Sequence, residues 1–160
     1  MGKKFRKGFL LMLLSCILFG NISIYAAEEN FLEVPQERFD VILEDNDLIS
    51  IASNPALSAC EIEVGIASNG LSISFDTTAT QKADEIGVKN AVLQEKNWYG
   101  GWKDIPMSNY YTNNSSWYSG NLVYTGATKG TTYRVKCTHY AKFGSTELTL
   151  NNTSSEIVYN

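Results

Sequence analysis

From Gly130 to Ala141 the side chains alternate in a two-residue rhythm: Tyr133, Val135, Cys137, His139 and Ala141 fall on one face, and Thr132, Arg134, Lys136, Thr138 and Tyr140 on the other. A period of two kept up over this length specifies a half-buried β-strand and excludes a helix, whose apolar positions recur every three to four residues. Such a strand is not stable alone. The rest of the chain must supply strands beside it and an apolar layer over the Tyr133 face.

Other strand signals recur with turn residues between them. Asn69-Gly70 separates two alternating runs and predicts a hairpin joining residues 59–68 to 71–80 through a type I′ turn. In the first arm Cys60, Ile62, Val64 and Ile66 share a face, as do Leu71, Ile73 and Phe75 in the second. After a loop holding Asp84 and Glu85, a third strand is expected over 86–96. It turns through Asn97-Trp98-Tyr99-Gly100-Gly101 into a short strand, 102–105, stopped by Pro106. A polar tract, Asn113 to Ser116, precedes strands expected at 121–125 and 131–142. Two final strands follow the turn at Phe143-Gly144, near 147–150 and 157–159. No segment keeps a 3.6-residue period, so the expectation for residues 51–160 is all-β: an antiparallel immunoglobulin-like β-sandwich of about seven strands. Tyr133 would stand in the tyrosine-corner position, just ahead of a core cysteine in the penultimate long strand.

The N-terminal residues carry a different message. Lys3, Lys4, Arg6 and Lys7, then an apolar run from Gly8 to Phe19, then Ala26 and Ala27, form an export signal over residues 1–27. Two rival readings of the segment are a lipoprotein box ending at Cys16 and an uncleaved anchor. Apolar Ile17, Leu18 and Phe19 after the cysteine count against the first, and Gly20-Asn21 interrupts the span that the second requires. Cleavage would remove four of the 13 basic residues and none of the 17 acidic ones, leaving nine against 17 and a net charge near −8. That balance disfavours nucleic acid or an anionic membrane surface as partner. Cleavage would also leave Cys60 and Cys137 as the only cysteines, either bridged, as export allows, or two buried thiols. Residues 28–50 hold eight acids against Arg38 alone, with Pro35 as a breaker, and read as a disordered acidic leader. Release into the medium is the expected destination.

Thr77-Thr78-Ala79, Asp84-x-Ile86-Gly87-Val88, Leu93-Gln94-Glu95-Lys96, Trp102 and the run Gly130-x-x-Tyr133-Arg134-Val135-x-Cys137-x-His139-x-Ala141 together resemble a family of small exported proteins of clostridial-type Gram-positive bacteria. The resemblance spans about residues 58–159. It implies a bacterial exported sandwich and supplies no activity, ligand or catalytic residue.

The chemistry-bearing residues are few. His139 is the only histidine, and Cys137 precedes it by two on one face; a Cys–His nucleophile would need a third positioned group, and none is evident. One histidine and two distant cysteines do not make a zinc spacing. Glu61 with Glu63, and Asp84 with Glu85, read as solvated carboxylates, with weak Ca²⁺ binding the sharper alternative. No catalytic residue, metal or cofactor is assigned. The aromatic residues are more informative. Trp98 and Tyr99 sit at a Gly-flanked hairpin tip with Trp102 beside them, and Tyr110, Tyr111, Trp117 and Tyr118 follow. The expectation is a non-enzymatic extracellular binding module that uses Trp98, Tyr99 and Trp102 on an unidentified protein or glycan. The alternatives are an assembly subunit or spacer that pairs through a strand edge, and a carbohydrate-binding module. Against all three, Trp102 and Trp117 could simply be core residues and the tyrosines ordinary strand formers.

Overall fold

A strand whose side chains alternate must find hydrogen-bond partners on both sides or end at an edge, and the chain meets this demand by making one strand exceptionally long. The computed structural model describes residues 30–34 and 54–160. The expected signal, Cys16, and most of the acidic leader lie outside these residues. The described residues form eight strands in one antiparallel sheet: β1 (Phe31–Val34), β2 (Leu57–Ala67), β3 (Gly70–Lys96), β4 (Trp102–Pro106), β5 (Tyr110–Tyr124), β6 (Thr132–Phe143), β7 (Thr146–Thr153) and β8 (Ile157–Val158). The order is β1-β5-β3-β6-β7, with β2 and β4 also on β3 and β8 on β6.

β3 is the 27-residue spine. Its first part, to Ala79, lies between β2 and β5; Glu85 to Val88 lies between β5 and β6; Val92 to Lys96 lies between β4 and β6. Two irregularities let one strand change partners. From Thr78 to Ala83 it takes five steps while β5 takes two, Trp117 to Ser115. From Lys89 to Val92 it takes three steps while β6 takes two, Thr138 to Lys136. The single extra residue of that second bulge shifts the inward phase from Ile86 and Val88 to Ala91 and Leu93, and Asn90 inside it has φ 52°. The Asn90 N–H, turned out of the ladder, donates to Asn109 Oδ1 at 3.0 Å.

Both ends of β3 feed one core. Leu71, Ile73 and Phe75 from its start pack in the same cluster as Val88, Ala91 and Leu93 from its end, with Leu122, Tyr124, Tyr133, Val135 and Cys137. A sheet that buries both ends of one strand in a single cluster is folded over on itself. A smaller cluster of Ala79, Ala83, Ile86 and Ala141 fills the bend.

The alternation from Gly130 to Ala141 is β6, with Tyr133, Val135, His139 and Ala141 all fully buried. The Tyr133 hydroxyl accepts a hydrogen bond from the Thr128 N–H, five residues upstream, at 3.0 Å.

Four expectations need correction. Ala67 pairs with Gly70, so the two-residue turn is Ser68-Asn69, and neither of these has the positive φ of a type I′ turn. Gly70 is required for another reason: a Cβ there would lie 2.1 Å from the Tyr124 carbonyl oxygen. Asp84 and Glu85 are not in a loop but in β3, where Asp84 Oδ2 accepts from Gly144 N–H at 2.6 Å. The polar tract at 113–116 does not interrupt β5, because a hydrogen-bonded ladder tolerates side chains that point to water on one face. Phe31–Val34, within the expected leader, pairs with Asn121 to Tyr124, and the Phe31 ring packs on Tyr124 with centroids 4.9 Å apart.

Tyr133→Phe, which loses only the bond to Thr128, is expected to cost about 1 kcal/mol of unfolding free energy, and Tyr133→Ala, which also leaves a cavity, about 3–5 kcal/mol. Urea unfolding monitored by tryptophan fluorescence measures both.

Candidate functional site

The β3–β4 hairpin ends in a turn closed by two backbone bonds, Asn97 N–H to Gly101 O and Gly100 N–H to Asn97 O, both 2.9 Å. Gly100 takes φ 87°, which a side chain would resist. This closure pushes the two residues between its anchors outward. Trp98 is 96% exposed and Tyr99 69%, and their rings meet edge-on with centroids 5.4 Å apart.

Trp102, the third residue expected at this site, lies at the base of the hairpin. The Arg134 guanidinium lies 4.1 Å from its ring centroid and the Lys96 ammonium 5.2 Å. Arg134 Nε donates to Gln94 Oε1 at 2.7 Å, Gln94 Nε2 donates to Asp104 Oδ1 at 2.6 Å, and Lys96 pairs with Glu156 at 3.0 Å. Trp102 is thus held among the cations of neighbouring strands, and it braces the base of the hairpin whose tip carries Trp98 and Tyr99. Arg134 and Trp102 belong to strands that are far apart in sequence, so their contact left no sequence signal.

Cys137 and His139 share the buried face of β6. His139 Nδ1 lies 2.7 Å from Thr77 Oγ1, both residues are fully buried, and Thr77 Oγ1 also donates to Gly87 O at 3.3 Å. With the Thr77 hydroxyl given to that carbonyl, Nδ1 carries the proton, and Nε2 is a lone pair without a partner among the described residues. Burial depresses the imidazole pKa to about 4, with Asp76 acting weakly the other way. Cys60 and Cys137 stand as separate thiols in this structure. Asn152 links their strands: it stands opposite Cys137 in the β6–β7 register, and its Nδ2 donates to Cys60 O at 2.9 Å. Burial, and secondarily Cys60, push the Cys137 thiol up to about 12, so almost no thiolate exists at neutral pH.

The carboxylates are occupied or isolated. Glu85 accepts from Lys142 Nζ at 2.8 Å and Tyr140 Oη at 2.7 Å, and these bonds hold its carboxyl below the usual range. Lys89 pairs with Glu147 beside the same Tyr140 ring. Glu61 and Glu63 face solvent on β2. Among the described residues no three of His, Cys, Asp or Glu converge as metal ligands, and no helix is long and apolar enough to cross a membrane.

The remaining rings lie on β5. Tyr110 stacks on Phe75 with centroids 6.2 Å apart, and Tyr118 packs against both core clusters. Tyr118 folds along its own strand so closely that a Cβ on Gly120 would lie 2.1 Å from its hydroxyl. Burial raises the Tyr118 phenol pKa, with Tyr110 and Glu33 adding to it. Tyr111 and Trp117 stand about half exposed.

The chain matches no protein-family model, and no curated protein and no solved structure is significantly similar to it.

His139 supplies a pH signature. Its folded pKa, about 4, lies below the unfolded value near 6.5, so between these values the unfolded chain binds more protons. Stability is therefore complete above about pH 6.5 and declines on acidification toward pH 4, with a slope of up to about 1.4 kcal/mol per pH unit from this residue. Unfolding midpoints measured from pH 7.5 to 4 are expected to fall more steeply for the parent protein than for His139→Gln.

Proposed function

We propose that this chain is an exported, non-enzymatic binding module built on an immunoglobulin-like antiparallel sandwich, and that the Trp98-Tyr99 tip is its contact surface. The nearly complete exposure of Trp98 carries the reading. A tryptophan projecting into water adds nothing to folding. On a partner it can bury roughly 150–250 Å², equivalent to about 4–6 kcal/mol of transfer free energy before association costs. The turn that presents the ring is closed by its own backbone, so little ordering remains to be done on binding.

The fold-level part rests on two observations: the burial of both ends of β3 in one core, and the bond from Tyr133 back to Thr128. Export rests on the basic and apolar N-terminal run, and the assignment to small exported Gram-positive proteins on the motif resemblance alone. The absence of enzymatic activity is inferred from the occupied state of the reactive groups. Cys137 is held as a thiol, and His139 is locked on Thr77. Of the three expected contact residues the proposal keeps Trp98 and Tyr99 and gives Trp102 to the brace.

Capture experiments with the purified protein on secreted proteins test this directly. Trp98→Ala is expected to leave stability within about 0.5 kcal/mol and to weaken capture at least tenfold, whereas Trp102→Ala lowers stability by about 1 kcal/mol or more. Undiminished capture by Trp98→Ala would refute the tip as the contact surface.

A further inference from the structure

Residues 105–128 contain no Asp, Glu, Lys, Arg or His, although 30 of the 160 residues are Asp, Glu, Lys or Arg. β5 runs through this stretch. It is bonded to β3 on one side, while β1 covers its other side only from Asn121 to Tyr124. Among the described residues, its part from Tyr110 to Gly120 therefore borders solvent. Two adjoining depressions lie along it and share Tyr118 and Ser119. One contains Thr112, Asn113, Asn114, Ser115 and the half-exposed ring of Trp117. The other contains Tyr110, the half-exposed Tyr111, Asn109 and Asn121, with Glu33 of β1 at its rim.

An open, uncharged strand edge could be expected to take up another strand. The backbone at Trp117 argues against it. Ser115 Oγ accepts from Trp117 N–H at 3.2 Å and donates to Trp117 O at 2.7 Å, so one hydroxyl occupies both backbone groups that Trp117 would offer an incoming strand. Asn114, just before it, has φ 54°, a conformation costly for a residue with a side chain and common where a strand redirects what it presents. At Trp117 the edge is closed to backbone pairing, while its side chains are left open to recognition. What it offers is primary amides, hydroxyls and two accessible aromatic faces in a shallow trough, with no cation among the lining residues and the Glu33 carboxylate at one end.

We propose that this trough along β5 binds a neutral oligosaccharide, with the rings of Trp117 and Tyr111 stacking on pyranose faces and the Asn113 and Asn114 amides bonding the hydroxyls. The C–H face of a pyranose matches an aromatic ring, and its hydroxyl rim matches amides that both donate and accept. With no cation among the lining residues and Glu33 at one end, the trough disfavours sulfated or uronic-acid chains. The site is separate from the Trp98 tip and does not depend on it.

The test is isothermal titration of the protein with cellohexaose, xylohexaose, maltohexaose and chitohexaose, with tri-galacturonate as the anionic control. At least one neutral hexamer is expected to bind. Trp117→Ala and Asn113→Ala should each weaken that binding at least tenfold with circular dichroism unchanged, and Trp98→Ala should leave it within twofold. Should Trp117→Ala not fold, Asn113→Ala and Tyr111→Ala carry the test. Binding to none of the four, binding to the anionic control alone, or loss of binding in Trp98→Ala with retention in Trp117→Ala and Asn113→Ala would overturn the proposal. The last of these would leave the tip reading intact. Loss of protein capture in Trp98→Ala with hexamer binding unchanged would establish two independent surfaces.

Discussion

Backbone pairing along β3 is the constraint on which the rest of the structure depends. Strands of five or six residues are usual, and this one has 27 because the same segment must border β2 and β5 at its start and β4 and β6 at its end. Pairing on both sides over that length is compatible with a small core only if the strand bends. The irregularities after Thr78 and after Lys89 are where it does so. Each extra residue there re-aims the side chains that follow, which lets Leu71, Ile73 and Phe75 meet Val88, Ala91 and Leu93 across one interior. The buried Thr77–His139 pair joins the first part of β3 to β6, through a side chain on each.

Much of this was legible in the sequence, and the failures have physical causes. β6 could be read outright because its inward and outward residues differ in chemistry at every step. The strands β2, β4 and β7 were legible too, within a few residues at their ends, from the turn residues that bound them. β3 read as two strands separated by a loop, since Gln81, Lys82 and Asp84 break the apolar rhythm where the extra residues of the bend face solvent. β5 was read only near its end, because Asn113 to Ser116 has the composition of a turn, and what holds it in a strand is the long-range ladder to β3. Phe31–Val34 was hidden because it lies in an acidic stretch of sequence and three of its four residues, Glu33 among them, are exposed. At the candidate site, exposure of Trp98 and Tyr99 followed from the flanking glycines. The stacking of Arg134 on Trp102 depended on register between distant strands, which a single sequence does not contain.

The aromatic residues sort themselves by what their polar neighbours allow. Tyr133 and Tyr140 have hydroxyls bonded to Thr128 and Glu85, and Trp102 is flanked by cations. Those rings serve the fold. Trp98, Tyr99, Tyr111 and Trp117 keep large open faces at two separate places, a hairpin tip and an uncharged strand edge. The same burial that makes the core stable also acts on two of its titratable groups, Cys137 and His139. It raises the Cys137 thiol pKa and lowers that of His139.

Native-state hydrogen exchange along β3 tests the central claim most directly. If one strand ties the folded sheet together, the amides of Ile73 and Phe75 and those of Val88 and Leu93 exchange only through global unfolding and report one common free energy. Exchange of the Gly70 to Ala79 segment several kcal/mol more easily than the Glu85 to Lys96 segment would mean two separately opening units, and would contradict the account.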